Sequence, residues 1–107
     1  MAAAYVLNKS GAQFYFTLRA DNGETILVGE RYTSKQSAQG GIDAVRANAG
    51  DDARYERKTA GKAHFVLKGA NGEPLGHSEE YSSAAAMETG IAAVKKAGPT
   101  APTEDRT

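Results

Sequence analysis

Glu30 and Glu79 are the residues best placed by type and spacing to do chemistry. Each precedes a tyrosine by two positions, as Glu30-x-Tyr32 and Glu79-x-Tyr81. A matched pair of carboxylates is the minimum for general acid/base work, because neighbouring acids split their pKa values and one can give a proton while the other takes one. That reading also needs a nucleophile or a metal. The chain has no cysteine, and its two histidines, His64 and His77, have no partner at a ligand spacing such as His-x3-His. The structural reading of the same residues needs nothing further. Each Glu would accept backbone N–H groups between a strand and a helix, and each Tyr would pack on a glycine of that helix, Gly41 or Gly90.

Other candidates are weighed the same way. Gly40-Gly41 does not follow phosphate-loop spacing, and Asn22-Gly23-Glu24 and Asn71-Gly72-Glu73 are turn chemistry. Tyr15, Arg19, His64 and Lys68 fall on the strand face opposite Phe16 and Phe65. Aromatic and basic residues on an open sheet can stack and hold nucleotide bases. The plainer reading is a solvated or helix-covered face with ordinary cross-strand pairs.

Charge weighs on that choice. The 107 residues carry 13 Lys plus Arg and 13 Asp plus Glu, for a formal net charge of zero. Dedicated nucleic-acid binders depend on a basic excess to neutralise phosphates. No apolar run approaches the length needed to span a bilayer, and the first residues lack the basic and apolar regions of a signal peptide. With no cysteine, the expectation is a cytoplasmic protein.

The elements that must position these residues are written twice. Phe16-Thr-Leu-Arg-Ala-Asp-Asn-Gly-Glu24 lies over Phe65-Val-Leu-Lys-Gly-Ala-Asn-Gly-Glu73. Glu30-Arg-Tyr-Thr-Ser34 lies over Glu79-Glu-Tyr-Ser-Ser83, and Gly41-Ile-Asp-Ala-Val45 over Gly90-Ile-Ala-Ala-Val94, always 49 positions apart. Tyr5 aligns with Tyr55 after a one-residue slip at a turn. Alternation puts Phe14, Phe16 and Leu18 on one face of a strand. The Asn-Gly pairs predict type I′ hairpins leading into strands over Thr25–Tyr32 and Pro74–Tyr81, with Pro74 at the strand start. Thr33 or Ser34, and Ser82 or Ser83, are natural N-caps for helices carrying Ala38, Gly41, Ile42, Val45 and Met87, Gly90, Ile91, Val94 at helical spacing. Mid-helix glycine costs about 1 kcal/mol relative to alanine, so its recurrence at Gly41 and Gly90 predicts close approach to a tyrosine ring.

These motifs, in order and twice, resemble the YegP family of small bacterial domains, over about Tyr5 to Gly98. The resemblance implies β-β-β-α-β units in which the strand after each helix joins the opposite half. Tyr55–Ala60 would do so, and part of 100–107 could follow suit. It implies no assigned activity and no catalytic residues.

The expected fold is α+β: two β-β-β-α(-β) repeats forming one pseudo-two-fold antiparallel sheet packed with two helices. Residues 1–98 form a single domain, with repeat one over 5–49 and repeat two over 55–98. Residues 99–107 are disordered by composition or add a short edge strand. The expected function is a non-enzymatic binding or interaction module of unassigned ligand, with a protein or peptide among the partners considered, acting through the sheet face or an unpaired edge. The alternative is a nucleic-acid accessory protein using Tyr15, Arg19, His64 and Lys68, and an enzyme using Glu30 and Glu79 comes third. No cofactor, metal or membrane is expected, and the duplication favours a monomer.

Overall fold

The computed structural model describes residues 2–107. Copy one supplies β1 (Ala4–Ser10), β2 (Gln13–Arg19), β3 (Thr25–Gly29) and α1 (Lys35–Asn48). A 3-10 turn over Asp52–Arg54 leads into copy two: β4 (Tyr55–Lys58), β5 (His64–Lys68), β6 (Pro74–His77) and α2 (Ala84–Ala97), followed by β7 (Thr103–Asp105). All seven strands form one sheet in the order β4-β5-β6-β3-β2-β1-β7. The two halves join where β3 pairs antiparallel with β6, through Val28 with His77 and Gly29 with Gly76. Val28 and His77 are repeat mates, so the pseudo-two-fold axis passes between them, normal to the sheet. Such an axis keeps both helices on the same side.

The core lies between that side and the helices. Tyr5, Leu7, Phe16, Leu18, Leu27, Phe65 and Leu67 meet Ala38, Ile42, Val45, Met87, Ile91 and Val94. Ser34 and Ser83 are the N-caps; their hydroxyls accept from the Ser37 and Ala86 amides at 3.1 Å. Helix and sheet come closest at the two glycines. A Cβ on Gly41 would stand 2.3 Å from the Tyr32 hydroxyl oxygen, and one on Gly90 would stand 2.2 Å from that of Tyr81. Each tyrosine stacks on a core phenylalanine, Tyr32 on Phe16 and Tyr81 on Phe65, with ring centroids 6.4 Å apart in both cases.

A second tyrosine in each half ties the repeats together. The buried Tyr5 hydroxyl donates to the Gly98 carbonyl at the end of α2, at 2.7 Å. The Tyr55 hydroxyl donates to the Ala49 carbonyl at the end of α1, at 2.6 Å. The first strand of each copy thus closes the helix of the other, satisfying a carbonyl that the helix itself leaves open. Burial raises the pKa of both phenols above the ordinary tyrosine value.

Three local expectations are corrected. The Asn-Gly turns are not type I′, because Gly23 and Gly72 have positive φ but Asn22 and Asn71 do not. In copy one the Gly23 amide donates to Ala20 O and the Ala20 amide to Glu24 O, a longer loop ending in a left-handed glycine. The Asn22 and Asn71 side-chain oxygens instead accept the Glu24 and Glu73 amides two residues on. The third strands stop at Gly29 and His77; Tyr32 and Tyr81 return only as isolated bridges to Phe14 and Ala63. The third correction is that the sheet is not wholly antiparallel, since β7 runs parallel to β1. Pro102 fits at its start because only its carbonyl is used, accepting from the Tyr5 amide at 2.8 Å, while the Arg106 amide donates to Leu7 O at 2.9 Å. Composition cannot show this strand, because its partner is the distant edge of β1.

Candidate functional site

With both helices on one side, the other face of the sheet has no helix over it. Cross-strand register places Val6 on β1, Tyr15, Thr17 and Arg19 on β2, Val28 on β3, His77 on β6, and His64, Val66 and Lys68 on β5 on that face. Around the axis lies a shallow dish of about 590 Å³, lined by Tyr15, Val28, Gly29, Glu30, Arg31 and His77.

Tyr15, Arg19, His64 and Lys68 therefore share a face, as their alternation predicts, but they do not form one cluster. β3 and β6 separate β2 from β5, a span of about 14 Å at ordinary strand spacing. The four residues form two pairs on either side of the axis. Each has its own local partner or lack of one. The Arg31 guanidinium lies 4.9 Å from the centre of the Tyr15 ring, a cation–π contact. Lys68 pairs with Glu56 on β4 at 3.3 Å. His64 Nδ1 is 3.3 Å from the Lys62 carbonyl. The buried Arg19 Nε has no hydrogen-bond acceptor among the described residues.

Charges of both signs border the face, and the copy-two mate of Arg31 is Glu80. Arg19, Arg31, Lys58, Lys68 and Arg106 stand on the face or at its rim against Glu30, Glu56 and Glu104. Sequence reasoning missed Arg31, Val28 and His77. The usable signal was the pairing of repeat mates Val28 and His77, which marks the axis once the third strands are known to be neighbours.

Glu30 and Glu79 are exposed, and their side chains accept no hydrogen bond among the described residues. The backbone bonds expected for them are therefore not formed, whereas the tyrosine–glycine packing is. Burial raises the pKa of Tyr32 and of Tyr81, and the negative charge of Glu30 or Glu79 adds to it. Among the described residues no group of three or more His, Asp or Glu is placed to hold a metal ion. No described helix is long and apolar enough to cross a membrane. The most connected charge cluster lies at one end of the sheet: Arg57 bonds Glu88 of α2 at 2.6 Å and Asp52 at 2.8 Å, and Lys95 also meets Asp52. It ties β4 and the linker to α2.

The family model for a domain of unknown function, DUF1508, matches twice, over residues 9–56 and 59–105. The chain belongs to this family. Its matches to curated relatives cover about half of either partner. A UPF0339 protein of Bordetella pertussis is 58% identical over 60 residues, 56% of this chain and 54% of that protein. The UPF0339 protein YegP of Escherichia coli K12 is 56% identical over 61 residues, 56% of each. The DUF1508 chain superposes over its full length on the solution structure of the E. coli protein of unknown function yegP. The TM-score is 0.92 at 50% identity, covering 95% of that chain. A UPF0339 protein of Shewanella oneidensis gives a TM-score of 0.90 at 44% identity, covering 98% and 92% of the two chains. The YegP resemblance read from the repeated motifs is thus shown, and so is the α+β fold. None of these descriptions names a reaction.

Proposed function

We propose that this protein is a non-catalytic binding module, monomeric, that engages an acidic protein surface with the uncovered face of its sheet. One observation carries the reading. Both helices lie on one side, which leaves a face with an apolar and aromatic centre (Val28, Val66, Tyr15) and the cations Arg19 and Arg31 on its copy-one half. A single-stranded nucleic acid fits this face less well. The rings it presents are Tyr15, already covered by Arg31, and the imidazoles of His64 and His77, and the chain has no basic excess to neutralise phosphates. The monomer reading is supported by two repeats that already complete one sheet and cap each other's helices.

The test is site-specific photo-crosslinking in cells. A photoreactive residue is placed on the sheet face at Thr17 or Val66, or on the outer helix surfaces at Gln39 or Ala92. The same discrete adduct from Thr17 and Val66, absent from Gln39 and Ala92 and reduced by Arg31→Glu, is the expected result. Equal labelling from helix and sheet positions would refute the reading. Adducts removed by nuclease would replace the protein partner by nucleic acid.

A further inference from the structure

The two repeats differ in how they neutralise one equivalent cation. Lys68, near the end of β5, has its counter-ion on the next strand, Glu56 of β4, at 3.3 Å. Its mate at the same place on β2 is Arg19, and the mate of Glu56 is Val6, which is 1% exposed. The register is equivalent in the two halves: Val6 pairs with Thr17 and Glu56 with Val66, each two residues before the cation. Copy one has therefore kept the cation and lost the carboxylate.

Among the described residues no other carboxylate takes over. Glu104 lies opposite Val6 on β7 but pairs with Arg106 at 2.9 Å. Asp21 accepts the Ala3 amide at 2.9 Å. Among the described residues Arg19 Nε is buried without an acceptor, and a buried unsatisfied donor is destabilising. Beside it is a pocket of about 220 Å³, lined by Arg19, Val6, Ala4, Gly23, Glu104 and Arg106. Among the described lining side chains, two guanidiniums and one carboxylate leave one net positive charge, which matches a monoanion. Because Nε is covered, an incoming carboxylate meets the two terminal nitrogens of the Arg19 guanidinium, whose parallel donors suit a planar carboxylate.

We infer that this pocket is an anchor site for a carboxylate supplied from outside the chain, taking the place that Glu56 fills in copy two. The inference rests on the binding-face reading and gives that face its specificity: the partner presents an Asp or Glu side chain at Arg19.

Sodium acetate serves as the probe. It is titrated into the ¹⁵N-labelled full chain at constant ionic strength, and the Arg19 Nε–H and Val6 amide resonances are followed. A saturable shift of both is expected, with the Lys68 region unmoved. In Arg19→Gln the Val6 response should vanish. In Val6→Glu, which rebuilds the copy-two arrangement, apparent affinity should fall on the order of tenfold. Where Val6→Glu does not fold, Ala4→Glu brings a carboxylate from the residue directly opposite Arg19. No shift beyond that produced by chloride, or a response that survives in Arg19→Gln, would overturn the assignment. Inorganic phosphate saturating the site well below the acetate range would overturn it too, in favour of a phosphoryl ligand. If the acetate test fails while the sheet-face crosslinks persist, the anchor alone is wrong. If the crosslinks are lost and the acetate shift stands, the binding-face reading fails instead.

Discussion

Replacing Gly41 by alanine separates two opposing effects whose sizes can be worked out. Alanine in a helix interior gains about 1 kcal/mol over glycine. Its Cβ would stand 2.3 Å from the Tyr32 hydroxyl oxygen, 2.7 Å from Tyr32 Cζ and 3.1 Å from Phe16 Cε2, so the ring must move. Forcing extra volume into packed surroundings costs about 1–3 kcal/mol. Lifting Tyr32 off Phe16 forfeits an aromatic pair of about 0.5–1.5 kcal/mol. The net expectation for Gly41→Ala is a loss of roughly 0.5–3.5 kcal/mol, or about 5 °C of melting temperature per kcal/mol in a chain of this size. Thermal and urea unfolding of a double-mutant cycle check the cause as well as the size. In a Tyr32→Ala background the obstacle is gone, and Gly41→Ala should become stabilising by about 1 kcal/mol. The Gly90–Tyr81 pair is an internal replicate with the same geometry. Gly41→Ala raising the melting temperature of the otherwise unchanged protein would refute the close-approach argument. So would an equal loss with and without Tyr32.

Other consequences follow from single contacts. Tyr5→Phe and Tyr55→Phe each delete one buried bond between the repeats, so each should cost about 1 kcal/mol in chemical denaturation; no change for both would remove the crossed caps from the account. Ser78→Ala strips the buried Phe65 amide of its acceptor and should cost about 1–3 kcal/mol; a neutral result would mean that another acceptor reaches that amide. Hydrogen bonds from Arg57, then Lys95, lower the Asp52 pKa from 3.8 to about 2. A depressed carboxylate contributes stability above its unfolded pKa and loses it as pH falls towards the folded one. Acid unfolding between pH 4 and 2 should therefore be shallower in Asp52→Asn than in the parent, and identical slopes would argue against the network. The phenols act in the opposite sense. With folded pKa values raised above 10.0, Tyr5 and Tyr55 contribute stability that is intact below pH 10 and lost as pH rises further. Loss of alkaline sensitivity in the two Phe variants, followed by circular dichroism, is the check.

What could be read from the residues was whatever depends on local pattern or on the repeat. Ser34 and Ser83 as caps, Pro74 at its strand start, and the glycines beneath Tyr32 and Tyr81 all express local chemistry written twice. The turn type went astray because the side-chain oxygens of Asn22 and Asn71 compete for a backbone amide, which dipeptide identity does not show. Strand β7 depends on a partner almost a hundred residues away. The crossed Tyr5 and Tyr55 bonds were hinted at by two tyrosines aligned in both copies, but the acceptors lie on the opposite repeat and required the sheet order. The shared face of Tyr15, Arg19, His64 and Lys68 followed from alternation; their separation followed only from β3 and β6 lying between them. The unmatched Arg19 was visible as Val6 aligned with Glu56, a difference with meaning only once the two strands are known to be neighbours.

The most direct test of the binding face is a two-dimensional amide spectrum of the labelled protein in fractionated cell extract, at low and raised salt. Selective broadening of Tyr15, Thr17, Val28, Val66 and His77, relieved by salt, is expected, with the exposed amides of α1 and α2 unaffected. Broadening centred on the helices, or spread evenly over the chain, would contradict it.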